Sequence, residues 1–190
     1  LGQHYDIVPG EPAKWSTREW IVRVLHEPDH ADLFGGTPYK GNMPSQDVKP
    51  ADADAEWKAM TKAEMDAVAE FLFAEGKDPN DQPPAAIDEA KRKSGEDLVQ
   101  KRCTICHLYK GKGDDGSNEL APELSGFGSY AWVRAQIENP ASKSTYREKA
   151  LDDKLKGHMP AFAEELSRED IDLLTKYVRA RARGLEIPSK

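Results

Sequence analysis

The chain has 190 residues, of which 38% are hydrophobic and 32% are charged, and its formal net charge is −7. This length suits one large domain or two small ones. The sequence has no dominant basic patch, which argues against a nucleic-acid partner, and no apolar run near the roughly 20 residues of a membrane-spanning helix.

Residues 1–15 are rich in Gly and Pro and predict irregular structure. A first helix is predicted next, because residues 16–19 form a capping-box pattern and apolar residues recur at helical spacing as far as Pro28. His26 and His30 are four residues apart, as in a metal-binding pair on one helix face. Pro28 lies between them and breaks the helix that would align them, which disfavours a metal site.

A second helix is predicted over residues 61–76, which begin with another capping box and continue with apolar residues at helical spacing. Residues 31–56 before it predict a loop that contains Met43. Residues 77–86 after it are rich in Pro, Asp and Asn, so we predict a linker and a domain boundary there.

A third predicted helix, residues 87–102, leads into Cys103, Cys106 and His107, which form a C-x-x-C-H run. This run is typical of c-type haem attachment, because two thiols at this spacing can add to the two vinyl groups of one porphyrin beside an iron-binding imidazole. The alternatives are a C-x-x-C redox pair and half of a zinc site. A redox pair needs a βαβ context and a zinc site needs further ligands, whereas this chain has only two Cys.

A second iron ligand is predicted at Met159, which stands between His158 and Pro160 ahead of a closing helix. A thioether is a soft, uncharged ligand, and a His/Met pair favours Fe(II). The alternatives are ligation by His158 and a methionine that only packs in the core. Ligation by two histidines would leave the adjacent Met and Pro without a role, so we predict His107 and Met159 as axial ligands.

Two further helices are predicted after the C-x-x-C-H run, over residues 130–138 and 167–183. In the closing helix, Ile171, Leu174 and Tyr177 or Val178 are predicted to point inward. Its last turns contain three arginines that suit the negative end of the helix dipole, namely Arg179, Arg181 and Arg183.

Residues 86–184 resemble a class I cytochrome c domain, on the strength of the entry helix, the C-x-x-C-H run and the late Met-Pro loop. The resemblance implies an all-α cytochrome c fold with long loops and one covalently bound haem c. It also implies that the Pro122 carbonyl supports His107, and that Gly95 and Leu98 cross the closing helix closely. Further residues expected in the haem pocket are Leu124, Trp132 and Phe162.

Landmarks recur in the same order in the two halves of the chain, which predicts an internal repeat. The matched pairs are Trp20 with Trp132, Pro28 with Pro140, Met43 with Met159, Thr61 with Ser167, and Phe71 with Tyr177. Residues 1–76 are therefore predicted to be a partial cytochrome c-like domain without a C-x-x-C-H motif, and residues 87–190 a mono-haem domain. The first domain is either truncated or haem-less, and Met43 is either the ligand of that second site or a packing methionine.

With both axial positions filled by protein, the predicted function is electron transfer by a carrier rather than catalysis. The alternative is a haem enzyme or gas sensor with a labile sixth ligand. The tandem arrangement resembles di-haem cytochrome c subunits, which implies redox partners such as a cytochrome bc-type or oxidase complex in a respiratory or photosynthetic chain. Haem attachment of this kind implies a periplasmic or otherwise extracytoplasmic protein, anchored elsewhere if it is anchored at all.

Overall fold

The structure is a computed structural model that describes residues 15–31, 33–36, 40–49, 51, 57–82, 84–113, 121–140, 142 and 160–187. Within these residues it has five α-helices: α1 (Arg18–His26), α2 (Lys62–Glu75), α3 (Glu89–Arg102), α4 (Tyr130–Glu138) and α5 (Arg168–Arg183). Two 3-10 turns and one small hairpin complete the described elements: Cys103–Ile105, Phe162–Glu164, and strands β1 (Leu108–Tyr109) and β2 (Lys112–Gly113). The all-α prediction is confirmed. None of the described helices is long and apolar enough to cross a membrane.

Four helices begin at a Ser or Thr whose hydroxyl accepts the backbone N–H three residues further on. These N-caps are Thr17, Thr61, Ser129 and Ser167. The capping box predicted for α2 is present, since Glu64 also accepts the backbone N–H of Thr61 at 2.7 Å. The helix α1 starts slightly later than predicted, because Thr17 rather than Ser16 caps it.

The main hydrophobic core draws on both halves of the chain. Its buried members include Ile21, Leu25, Met65, Val68, Phe71, Val99, Tyr109, Leu124 and Phe127. A smaller cluster of Val133, Ile137 and Ile171 lies between α4 and α5, and Trp15 packs against both clusters. Residues on the two sides of 77–86 thus share one core, while the division into domains at that segment stays a prediction.

The helix α3 crosses α2 at Gly95. A Cβ on Gly95 would overlap the carbonyl oxygen of Ala67 and lie 2.8 Å from the Cβ of Phe71, so only glycine allows the two backbones to approach this closely. The expectation that Gly95 crosses the closing helix is therefore wrong. The physical reason is that α2 offers α3 an almost wholly apolar surface, with Val68 and Phe71 fully buried.

The inward face of α5 also differs from the prediction. Ile171 is buried and Val178 packs against the smaller cluster, as expected, but Leu174 and Tyr177 are exposed, and Thr175 and Arg179 lie inside. The arginines determine this orientation, because the guanidinium of Arg179 is buried among acceptors from other parts of the chain.

Arg179 donates hydrogen bonds to both carboxylate oxygens of Asp81, at 2.8 and 3.1 Å, and to the carbonyl oxygens of Gly76 at 2.7 Å and Gly128 at 3.1 Å. Arg183, one turn further, donates to the carbonyl oxygen of Phe73 at 3.0 Å. These two arginines therefore attach α5 to the end of α2, instead of interacting only with the dipole of their own helix.

A buried carboxylate joins the first three helices. Glu70 accepts hydrogen bonds from both Nε and Nη2 of Arg18, the latter at 2.8 Å, and from the backbone N–H of Asp88 at 2.9 Å. Arg18 also donates to the carbonyl oxygen of Ala86 at 2.6 Å. The hydrogen bonds from Arg18 lower the pKa of Glu70 although burial opposes this shift. Glu70 thus fixes the start of α3, the helix that carries the C-x-x-C-H run.

Candidate haem-attachment site

The C-x-x-C-H run forms a tight turn at the end of α3. The backbone N–H groups of Cys106 and His107 both donate to the carbonyl oxygen of Cys103, at 3.1 and 2.8 Å. This turn brings the two free thiols and the imidazole together within five residues, each of them partly buried. The intervening Ile105 is 71% exposed and points away from the core.

The environment of the first thiol differs from that of a redox-active pair. Burial raises the pKa of the Cys103 thiol to about 11, so this thiol is neutral at pH 7. Reactive C-x-x-C cysteines instead have a lowered pKa. Among the described residues, no group of three or more His, Cys, Asp or Glu side chains is arranged to hold a metal ion.

His107 is oriented by a backbone carbonyl. Its Nδ1 donates a hydrogen bond to the carbonyl oxygen of Pro122 over a distance of 2.9 Å. In this tautomer Nε2 carries the lone pair and can bind iron, while the hydrogen bond at Nδ1 increases the donor strength of the ring. The contact between His107 and Pro122 that the family resemblance implies is thus present in the structure.

A hairpin directly after His107 packs against the haem-attachment turn. Lys110 and Gly111 both have positive φ, of 49° and 72°, as the two-residue turn of a tight hairpin requires. Gly113 on β2 passes so close to the haem-attachment turn that a Cβ there would overlap the carbonyl oxygen of His107. The hairpin was not predicted, and the alternation of Gly and Lys in residues 110–113 is the signal that could have indicated it.

The end of α2 is hydrogen-bonded to the hairpin after His107 and to the segment after Pro122. The hydroxyl of Tyr109 donates to Oε1 of Glu75 at 3.3 Å, and the backbone N–H of Gly126 donates to Oε2 at 2.9 Å. The buried ring of Tyr109 also packs edge-on against Phe71. Sequence reasoning missed Tyr109 and Glu75, because a single Glu at a helix end carries no pattern that would indicate this role.

The other predicted pocket residues lie in two places. Leu124 is buried in the main core, and Trp132 packs against that core with its Nε1 donating to the carbonyl oxygen of Glu123 at 3.1 Å. Cys103 packs against the same core cluster. Phe162 packs instead against the smaller cluster between α4 and α5, which Trp132 also touches.

Of the two methionines predicted as iron ligands, the structure describes only Met43. Met43 is partly buried against the main core and lines a surface cavity of about 440 Å³ together with Pro28 and His30. Met159 and the competing His158 lie outside the described residues. Ligation of iron by Met43 or by Met159 therefore remains a prediction.

The two histidines that are spaced like a metal pair, His26 and His30, have separate partners. His26 contacts Asp47 through its Nδ1. The Nδ1 of His30 lies 2.8 Å from Nη2 of Arg23. Their side chains are thus engaged with different elements.

Comparison with known proteins identifies one segment of the chain. Residues 93–182 match the family model described as Cytochrome c. No curated protein and no solved structure was found to match the chain. The matched segment begins inside α3 and ends inside α5, so it contains the C-x-x-C-H run and Pro122, whereas α1 and α2 lie outside it.

The residues of this site suit a covalently bound haem: two adjacent thiols can hold the porphyrin, and an imidazole whose Nδ1 is hydrogen-bonded to a carbonyl can bind the iron. Residues 93–182 are therefore a c-type cytochrome segment of class I, with the all-α cytochrome c fold and haem c as the implied cofactor.

Proposed function

We propose that this protein transfers electrons through one haem c bound at Cys103 and Cys106, with His107 and Met159 as the axial ligands. The observation that carries the proposal is the hydrogen bond from His107 Nδ1 to the Pro122 carbonyl within a C-x-x-C-H turn. When bound, the haem supplies a one-electron Fe(III)/Fe(II) couple.

The chain's own residues would position the group and tune it. His107 is held by the Pro122 carbonyl, and a thioether on the opposite side would favour Fe(II). The main core packs against Cys103, so one edge of the haem would be kept away from water. With both axial positions filled, no coordination site remains open for a substrate, which supports a carrier rather than an enzyme.

A second methionine competes for the distal position. The helix α3 lies on α2, and Met43 precedes α2 in the same half of the chain. Met43 also packs against the core cluster that touches Cys103. The position of α3 therefore favours Met43 as the alternative sixth ligand, whereas sequence spacing favours Met159.

The spectrum of the full haem-loaded chain tests the ligand assignment. Met159→Ala should abolish the weak thioether–Fe(III) absorption band and the shifted methyl resonance of the bound methionine, while Met43→Ala should leave both unchanged. Met65→Leu, at a buried α2 position, controls for the general effect of losing a methionine. The reverse pattern would assign the ligand to Met43, and an unchanged band in both Ala variants would refute thioether ligation.

Binding of carbon monoxide separates the carrier from a haem enzyme or gas sensor. If a methionine fills the sixth position, CO should bind the ferrous protein slowly, because the thioether must leave first. Fast binding without prior ligand loss would contradict the carrier role and support the alternative.

We further propose that the electron donor and acceptor are redox proteins outside the cytoplasm, with a cytochrome bc-type or oxidase complex as the context. The cytochrome c segment at residues 93–182 supports redox partners and an extracytoplasmic location in general. The two capped helix pairs, α1 with α2 and α4 with α5, support the tandem repeat.

A further inference from the structure

The segment after His107 and the segment around Pro122 are hydrogen-bonded to each other at several points. The first contact is the hydrogen bond from Nδ1 of His107 to the Pro122 carbonyl oxygen. The backbone N–H of Leu124 then donates to the carbonyl oxygen of Leu108 at 2.9 Å. The position of the imidazole therefore depends on how firmly these two segments are held together.

The carboxylate of Glu75 joins the same two segments from outside. Its Oε1 accepts the hydroxyl of Tyr109 at 3.3 Å, and its Oε2 accepts the backbone N–H of Gly126 at 2.9 Å. Next to these contacts, the backbone N–H of Lys110 donates to Oγ of Ser125 at 2.7 Å. Glu75 is the last residue of α2, so this support comes from outside the cytochrome c segment.

Glu75 also brings a negative charge to this part of the structure. Its side chain is only 17% exposed, so water screens its charge less than that of a surface carboxylate. The ammonium of Lys110 lies 3.9 Å from Oε1, but the side chain of Lys110 is 60% exposed and offsets the carboxylate charge only in part. Tyr109, which contacts Glu75, is two residues from His107 along the chain. The carboxylate charge therefore acts close to the histidine that would bind the iron.

We propose that Glu75 is a positioning residue for the haem iron, which keeps the hydrogen bond between His107 and Pro122 closed and lowers the reduction potential. This inference deepens the proposed function and rests on it only in requiring a haem c whose iron is bound by His107. It does not depend on which methionine is the sixth ligand. It gives α2, which the family match does not cover, a role at the haem of the second half of the chain.

Both effects of Glu75 act in the same direction. Fe(III) carries one positive charge more than Fe(II), so a nearby carboxylate stabilises the oxidised form. The hydrogen bond at Nδ1 of His107 makes the imidazole a stronger donor, and a stronger donor also stabilises Fe(III). Loss of Glu75 should therefore raise the reduction potential, and its charge and its hydrogen bonds can be removed separately.

Glu75→Gln removes the charge and keeps the hydrogen bonds. Its amide oxygen can accept the N–H of Gly126, and its amide N–H can donate to the hydroxyl oxygen of Tyr109. In redox titration of the full haem-loaded chain, this variant should shift the Fe(III)/Fe(II) equilibrium about three- to tenfold toward Fe(II), which is a rise of about 28 to 59 mV. Asp66→Asn, which removes a carboxylate from the exposed ion pair with Lys62 near the start of α2, is the matched control and should leave the potential unchanged.

Glu75→Ala removes the hydrogen bonds as well. NMR of the ferrous protein in heavy water measures the exchange of the Nδ1 proton of His107, which requires its hydrogen bond to Pro122 to open. Glu75→Ala should speed this exchange by about tenfold or more, because two hydrogen bonds to a carboxylate are lost, whereas Glu75→Gln should leave the rate close to that of the unmodified protein. Tyr109→Phe removes only one of the two bonds and should give a smaller increase, so it replaces Glu75→Ala if that variant does not fold.

Two results would overturn the proposal. One is an unchanged potential in Glu75→Gln, or the same shift in Asp66→Asn, and the other is an unchanged exchange rate in Glu75→Ala. A lower free energy of unfolding without either change would make Glu75 a structural residue only. Covalent haem attachment and the thioether–Fe(III) band of the unmodified chain test the proposed function separately, since neither requires a substitution at Glu75.

Discussion

Two buried arginines, one turn apart on α5, should contribute very differently to stability. Arg179 is paired with Asp81, and both side chains are more than nine-tenths buried. Arg183 donates one hydrogen bond to the Phe73 carbonyl and stacks on the Phe73 ring at 4.1 Å, while its Nη1 has no hydrogen-bond partner among the described residues. We compare Arg179→Met with Arg183→Met, because both replace a buried guanidinium by an apolar chain of similar reach.

The expected magnitudes follow from the partners that each arginine leaves behind. Arg179→Met leaves Asp81 buried without its counter-charge, which typically costs about 3–5 kcal/mol, and removes the donor from the Gly76 and Gly128 carbonyls. Burial lowers the pKa of the Arg183 guanidinium to about 10, so its charge is poorly compensated in the fold. For Arg183→Met, the relief of this desolvation offsets the lost hydrogen bond, and we expect a change within about 1 kcal/mol.

Urea denaturation of the haem-loaded protein, followed by tryptophan fluorescence, measures both changes in the free energy of unfolding, and thermal unfolding followed by circular dichroism measures the melting temperature. Arg179→Met should lower the melting temperature by roughly 6–20 °C for a protein of this size. Adding Asp81→Asn to Arg179→Met should recover part of the loss, since it removes the stranded charge. Equal effects of the two arginine substitutions would refute the reasoning, because the ion pair would then contribute nothing beyond the burial of the side chain.

Two further predictions concern the contacts of α2. Gly95→Ala should lower the free energy of unfolding by about 1–3 kcal/mol in urea denaturation, because the added Cβ overlaps the Ala67 carbonyl, although alanine is the better helix former. Ser94→Ala, at the exposed neighbouring position, is the control and should be neutral or slightly stabilising. Equal effects of the two substitutions would contradict the close crossing of α3 and α2. Arg18 lowers the pKa of Glu70, so this pair stabilises the fold above the ordinary carboxylate pKa of about 4.3 and is lost as the pH falls through the lowered pKa. Glu70→Gln should therefore destabilise the protein near pH 7 and flatten the acid side of its stability profile, and an unchanged acid slope would count against this account.

Much of the local structure could be predicted from the sequence. The C-x-x-C-H run, the capping boxes and the apolar spacing indicated all five described helices within one or two residues of their bounds. Such signals involve groups only three or four residues apart, so they require no knowledge of distant contacts. The support of His107 by Pro122 was expected only through the family resemblance, because no local pattern joins residues 15 positions apart.

The pairing of helices was decided only by the tertiary structure. Both α2 and α5 have apolar residues at helical spacing, and this spacing alone does not say which of the two helices receives α3. In the structure α2 holds α3, because the backbone of α2 at the buried Ala67 and Phe71 lets Gly95 approach closely.

The orientation of α5 has a similar cause. Sequence periodicity predicts Leu174 and Tyr177 or Val178 inside, and it explains the arginines of the last turns only by the dipole of their own helix. Asp81 and the carbonyl oxygens of Gly76 and Gly128 come from distant parts of the chain, and together they supply the acceptors that let Arg179 be buried. Sequence alone therefore determined the helices and the haem-attachment turn, whereas long-range hydrogen bonding and close packing determined which faces meet.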